Sequence, residues 1–224
     1  MAAAGLDVAN WLHHQHGVHG VDTATTVLES LQETRTGIAA RLKDVDAEQE
    51  FDAVLIGVGM VPNTDLAEAA GLDVDRGVLV DEQQVTSHPR VLAIGDCARL
   101  RDHRRTEHWE AAQQDGQRAA ATIVGSERPV ATAPWWWSDR YGRHVEGVGE
   151  MRTANATHSV IVRGIVGTPP FAVFTLRGDR VIGAIAVNDS QAVRAARRMI
   201  DRDLPVDPAR LADPATDLRK LLRG

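Results

Sequence analysis

Apolar positions recur at helical spacing from Asp7 to His16, where Val8, Trp11 and Leu12 share a face and Gly17 supplies a stop. The pattern then changes period. Val21 to Leu31 is rich in Thr and Val with partial alternation, and Gly37 to Val45 alternates through Ile38, Ala40 and Leu42, so both predict strands. Phe51 to Val58 is a continuous apolar run, the signature of a strand buried on both faces, followed by a loop through Asn63. Thr64 is a candidate N-cap for a short helix to Ala70, closed by Gly71. Short strands follow at Val78–Val80 and Val91–Ile94, the latter ending in Gly95-Asp96. The alanine-rich stretch from Glu107 to Val124 predicts a helix stopped by Gly125.

Composition shifts between Pro129 and Pro134, which sets a domain boundary there. Beyond it the pattern predicts strands at Val145–Val148, Ser159–Val162, Phe171–Leu176 and Val181–Val187, and a helix from Ser190 to Asp201. A tail carrying Pro205, Pro208 and Pro214 ends in a short helix. This last third reads as a small α+β domain.

The chain of 224 residues is 43% hydrophobic and 25% charged, ordinary for a globular protein with a sizeable core. Its formal net charge of -6 gives no bulk attraction to nucleic acid or an anionic membrane. A single cysteine, Cys97, excludes an internal disulfide and a CxxC redox pair and is read as a small packing residue. No run reaches membrane-spanning length and no signal peptide is visible, so the expected compartment is the cytoplasm.

Five segments could carry chemistry. Ile56-Gly57-Val58-Gly59-Met60-Val61-Pro62 looks like a dinucleotide fingerprint whose third glycine is replaced by Pro62. Gly59 would still let a ligand approach the backbone, although glycines at a strand end are the plainer reading. Asp96 closes an apolar strand, where a carboxylate can accept hydrogen bonds from ligand hydroxyls; an ordinary turn aspartate is the alternative. Glu107-His108-Trp109 opens a helix whose N-terminus would favour negative charge on a ligand, or Glu107 simply complements the dipole and Trp109 is core. In Trp135-Trp136-Trp137, adjacent side chains of an extended segment face opposite ways, so one ring should meet core while another meets a ligand or partner. His13 and His16, with His14 and His19 nearby, have a metal-compatible spacing but lack a carboxylate or cysteine to complete a shell, which favours a solvated helix end. Arginines 101, 104 and 105, and 194, 197, 198 and 202, are either solvated faces or a docking patch for an acidic partner.

Taken in order, these motifs resemble the FAD-dependent ferredoxin reductases of bacterial electron-transfer chains. The resemblance rests on Ile56-Gly57-Val58-Gly59 with Val61-Pro62-Asn63, on Thr86-Ser87 and Pro89 before Gly95-Asp96, on Glu107, and on Pro134-Trp135-Trp136-Trp137-Ser138-Asp139 with Tyr141. In the tail it rests on Phe171 to Leu176, Gly178-Asp179-Arg180, Ala186-Val187-Asn188 and Leu204-Pro205-Val206. It implies an α/β, glutathione-reductase-like FAD/NAD(P)-binding fold, present in part, followed by a small α+β domain. Residues 1–60 would be a remnant of the NAD(P) domain, 61–128 the end of the FAD domain, and 129–224 the C-terminal interface domain.

The cofactors so implied are FAD and NAD(P)H, and the partner is a ferredoxin-type iron-sulfur protein. Asp96 would bind the ribityl and pyrophosphate portion of FAD. The backbone at His108 and Trp109, behind Glu107, would face the pyrimidine edge of the flavin. Trp137, and Trp135 with it, would lie by the flavin and the ferredoxin-docking surface. Neither family GxGxxG fingerprint has a counterpart in this sequence, and Arg140 stands where the family often has glutamine. The chain is therefore expected to be a C-terminal half that works with a separate N-terminal half, the alternative being a non-catalytic module that binds a partner protein.

Overall fold

A computed structural model describes residues 5–103, 105–150 and 158–223. They fall into two compact units, one made of Met1–Leu12 and Pro62–Gly224, the other of His13–Val61.

The smaller unit is built on three antiparallel strands, β1 (Leu28–Glu33), β2 (Ile38–Leu42) and β3 (Gln49–Phe51), in spatial order β1-β2-β3. The β1–β2 turn is tied to β3 by Thr34 and Thr36, whose hydroxyls each donate 2.6 Å hydrogen bonds to Glu50 Oε1. Those bonds hold the exposed Glu50 carboxyl below its ordinary value. A Cβ on Gly37 would run into the Phe51 carbonyl, so glycine is what lets β2 and β3 close on one another.

Two sequence expectations fail in the same way. The run from Phe51 to Val58 is a strand only to Phe51; beyond it the backbone is irregular, with Leu55 97% and Val58 90% exposed. Val91 to Ile94 also forms no strand, only an isolated bridge from Leu92 to Val85. An unbroken apolar run signals a buried strand only where neighbouring strands pair with it, and among the described residues neither run has one. Residues 21–27 likewise stay irregular, and the expected first strand begins at Leu28.

In the larger unit the parallel pair β4 (Val78–Val80) and β5 (Ala98–Leu100) lies beside α3 (Trp109–Val124). Before them comes the single-turn helix α2 (Asp65–Ala69), flanked by Thr64 and by Gly71 at φ +72. The rest is a five-stranded antiparallel sheet, ordered β6-β7-β10-β9-β8. Its strands are β6 (Trp135–Arg140), β7 (Arg143–Gly149), β8 (His158–Ile165), β9 (Thr168–Arg177) and β10 (Arg180–Val187).

Alternation divides this sheet into two apolar faces. Ala172, Phe174, Leu176, Ala184 and Ala186 face α4 (Ser190–Asp201), which buries Ala192, Val193, Ala195, Ala196 and Met199 at helical spacing. Phe171, Val173, Ile185 and Val187 face Val8, Trp11 and Leu12 of α1 (Gly5–Val18). The Trp11 and Phe171 rings meet edge to face at 5.7 Å. The tail, with α5 (Pro208–Ala212) and a 3-10 turn at Leu218–Arg223, adds Leu211, Leu218 and Leu221 to the α4-side core.

Arg163 on β8 secures that tail. Its guanidinium donates to the carbonyls of Leu211 (3.3 Å), Asp213 (2.5 Å), Pro214 (3.1 Å) and Thr216 (2.8 Å). One rigid fork therefore satisfies four backbone acceptors. Arg163→Ala is expected to lower the unfolding free energy by about 2–4 kcal/mol, seen as an earlier midpoint in urea or thermal unfolding.

Candidate functional site

The Gly95–Cys97 segment is a single 3-10 turn leading into β5, with Gly95 at φ +71, a conformation that favours glycine. It rests against α3. The Gly95 N–H donates to Asp115 Oδ2 at 3.2 Å, while Oδ1 accepts from Gln84 Nε2 (3.2 Å) and Arg118 Nη1 (3.0 Å). Burial pushes the Asp115 carboxyl up, and the Gly95 N–H and the Arg118 charge oppose that shift. On the other side Arg105 donates to the Asp96 carbonyl at 2.6 Å and pairs with Glu107. The turn and the start of α3 are thus joined twice, through Asp115 and through Arg105. The Asp96 carboxylate is exposed and makes no hydrogen bond among the described residues.

His108 is the N-cap of α3, at φ -150, and its Nδ1 accepts the Ala111 N–H at 3.2 Å. The N–H groups of Trp109 and Glu110 have no acceptor among the described residues. They stand open at the positive end of a helix of 16 residues. Beside them a cleft of about 710 Å³ is lined by Gln84, Arg105, His108, Asp115, Arg118 and Thr132, among others. Gln84 is 3% exposed, and its Oε1 has no donor among the described residues. The cleft itself presents the orphaned Gln84 amide oxygen, while the Asp96 carboxylate and the Trp109 and Glu110 N–H groups lie outside its lining, at the turn and helix start joined by Arg105.

The tryptophans continue this surface. Along β6, Trp135 and Trp137 face one way and Trp136 the other. Trp136 packs into the α1-side core, its ring lying over Gly147, where a Cβ would come within 2.5 Å of it. Trp135 packs against the α4-side core. Trp137 is 43% exposed, stacks on Trp135 at 4.9 Å and meets Trp109 edge to face at 6.2 Å. Glu110 binds the first turn of α3 to this strand and to α4. It accepts from the Trp135 N–H at 3.2 Å and from Arg197 Nη2 at 2.7 Å.

Asp96, Glu107, His108, Trp109 and Trp137 are therefore gathered at one junction of one unit. Gly59 belongs to the other unit, in its irregular stretch at φ +104, with open space where a Cβ would sit. The expected arginine patches are partly committed to ion pairs. Arg197 pairs with Glu110, Arg101 with Asp73 at 2.9 Å and Arg105 with Glu107. Arg104 lies outside the described residues. Cys97 is half-buried, its thiol 3.5 Å from the Ile94 carbonyl. His13 is within 2.9 Å of the Thr23 hydroxyl, and no group of three or more His, Cys, Asp or Glu side chains suited to a metal ion occurs among the described residues. No helix there is long and apolar enough to cross a membrane. Sequence reasoning missed Asp115 and Glu110. Asp115 carried one signal, a carboxylate among Ala111, Ala112 and Ala119 on one side of the helix; Glu110, followed on its own side by Gln113, Gln114 and Gln117, carried none.

The sequence profile of the pyridine nucleotide-disulphide oxidoreductases matches residues 1–116, and the reductase C-terminal profile matches residues 135–222. The ferredoxin–NAD(+) reductase component of the anthranilate 1,2-dioxygenase system of Burkholderia cepacia is 34% identical over 221 residues, covering 96% of this chain and 54% of that protein. Putidaredoxin reductase of Pseudomonas putida is 34% identical over 223 residues, covering 96% and 52%. The chain thus spans about half the length of the curated relatives it matches. Among solved structures, the covalent putidaredoxin reductase–putidaredoxin complex superposes with a TM-score of 0.84 at 32% identity, over 96% of this chain and 53% of that one. The ferredoxin reductase for the CYP199A2 system from Rhodopseudomonas palustris gives 0.84 at 28% identity, over 97% and 55%.

Replacing Asp115 by alanine is expected to free the Gly95 turn from α3. It should cost about 1–3 kcal/mol in chemical unfolding, because the Gly95 N–H and the Gln84 amide lose their shared acceptor.

Proposed function

The chain belongs to the pyridine nucleotide-disulphide oxidoreductases, and from that premise we propose that it is the flavin-facing and partner-facing part of an FAD-dependent NAD(P)H:ferredoxin oxidoreductase. The observation that carries this reading is the Gly95-Asp96 turn fastened to the start of α3, with the Asp96 carboxylate and the Trp109 and Glu110 N–H groups unpaired among the described residues. The names of its relatives, both reductases of small iron-sulfur electron carriers, support it.

FAD, when bound, supplies two-electron acceptance from NAD(P)H and one-electron delivery to the partner. This chain's residues would hold and tune it. The Asp96 carboxylate would accept from ribityl hydroxyls, and the N–H groups at Trp109 and Glu110 would face the pyrimidine edge, where the helix dipole favours negative charge. Glu107 and Arg105 would keep turn and helix in register. Trp109, Trp137 and Trp135 would form an aromatic wall at the flavin and the docking face. Gly59 would allow close approach of the nicotinamide nucleotide. Residues 1–60 would then belong to the NAD(P) domain, 61–128 to the FAD domain and 129–224 to the interface domain. Neither phosphate-gripping glycine run stands in these 224 residues, and in this reading both are supplied by sequence outside them.

A second reading, a non-catalytic module that binds a partner protein, draws on the exposed apolar residues Leu55, Val58 and Val61. A visible spectrum separates the two. Purified with the corresponding N-terminal half of a relative, the chain should show a bound flavin whose affinity falls about tenfold or more in Asp96→Ala. A flavin spectrum that never forms in the joined pair would leave the partner-binding reading.

A further inference from the structure

We infer that His144, clamped between Asp139 and Glu146, is a positioning residue for the Trp135–Trp137 stack, which it holds most firmly when the imidazole carries its charge. The inference rests on the reading above for its consequence, since that reading places this stack at the flavin and docking face.

Strand register brings the parts together. Asp139 lies opposite His144, Trp137 opposite Glu146, and Trp135 opposite Val148, so all of them share one face of the β6–β7 pair. His144 Nδ1 is 2.6 Å from Asp139 Oδ1, and Nε2 is 3.7 Å from Glu146 Oε2. Glu146 is only 6% exposed, and its other oxygen accepts the Trp135 indole N–H at 3.3 Å. The indole that stacks on Trp137 is therefore fixed through a buried carboxylate whose cationic neighbour is His144.

The imidazole's proton count decides how that carboxylate is met. A charged ring donates from both nitrogens, to Asp139 and toward Glu146. A neutral ring has one N–H. If Nδ1 keeps it for Asp139, the Nε2 lone pair faces a buried carboxylate and repels it, loosening the anchor of Trp135. The hydrogen bond to Asp139 raises the His144 pKa above its ordinary value, and the nearby Glu146 and Asp139 charges add to this against the cost of burial.

The other groups at this site do not replace the imidazole. From the β10–α4 turn, the Asn188 amide oxygen accepts the His144 backbone N–H at 2.8 Å and is neutral. Asp189 caps α4 through Ala192. From α3 and α4, Glu110 and Arg197 pair with each other at the far end of Trp135. Arg140 donates to Ser138 on the opposite face, the one Arg143 also takes by alternation. Because the folded-state value is raised, the clamp is complete below about pH 6.5 and is lost as pH rises through the raised value.

The stacked pair supplies its own readout, the exciton-coupled circular dichroism of Trp135 with Trp137, measured on the chain without flavin. Trp135→Phe identifies the couplet by removing it. Between about pH 5.5 and pH 9 the wild-type couplet should weaken in one step with a midpoint above about 6.5. His144→Gln should lack the step and sit at the weak level throughout. Asp139→Asn, which keeps the shape but removes the charge, should lower the midpoint by about one pH unit. A wild-type couplet that does not change with pH, a step that survives in His144→Gln, or a midpoint unmoved in Asp139→Asn would each overturn the inference. None of these outcomes depends on whether the joined protein binds flavin.

Discussion

The structure of the site depends on two carboxylates well apart around α3. Asp115 takes the Gly95 N–H and so fixes the Asp96 turn to one side of the helix. Glu110 takes the Trp135 N–H and the Arg197 guanidinium and so fixes the tryptophan strand and α4 to another. A helix in isolation is a marginal structure whose position is set by what it packs on. Here the apolar contribution is small, because most of α3's inward-facing residues are alanines, so charged hydrogen bonds do the positioning that large side chains do elsewhere. Removing Asp115 would leave the buried Gln84 amide unmet, and removing Glu110 the part-buried Trp135 N–H and Arg197 guanidinium, as well as break a contact, which is why such links hold geometry tightly.

Different physics holds the C-terminal sheet. It carries an apolar layer on each face, with α4 and the tail on one side and α1 on the other, and its inner strands are buried from Phe171 to Leu176 in β9 and from Gly183 to Val187 in β10. A sheet packed on both faces resists bending, so β6 at its edge inherits a fixed orientation through its register with β7. Of three neighbouring tryptophans, two are used as packing and one is left at the surface. The exposed ring is placed by the two half-buried ones, Trp135 by stacking and Trp136 by anchoring the strand over Gly147.

Legibility followed locality. The helix of α3 with its Gly125 stop, the whole of α4, and four of the five strands of the C-terminal sheet were readable because each carries its own period and its own punctuation, while β6 was not assigned as a strand. The family was readable because motifs kept their order along the chain, and the profile match over residues 1–116 agrees. The runs at Phe51–Val58 and Val91–Ile94 misled because a continuous apolar stretch states only that something should cover it, and the strand assignment assumed the cover. Asp115, Glu110 and His144 were illegible for the opposite reason. Each is an ordinary polar residue locally, and its meaning comes from partners at a distance along the chain: Gly95 and Gln84, Arg197, or Asp139 across a hairpin.

The same contrast explains why the site sits at this junction. A turn such as Gly95-Asp96 must leave its carboxylate and nearby N–H groups unpaired if they are to meet a ligand, and unpaired backbone has no secondary structure to hold it. Rigidity must then come from behind. Arg105 and Asp115 grip the turn through its carbonyl and its N–H, leaving the Asp96 side chain outside the network. At the helix start, His108 satisfies one first-turn donor, at Ala111, and leaves those of Trp109 and Glu110 open. The groups that the supporting network does not consume among the described residues are the Asp96 carboxylate and the Trp109 and Glu110 N–H groups, and it is that selective leftover, more than any single residue, on which the proposed ligand site rests.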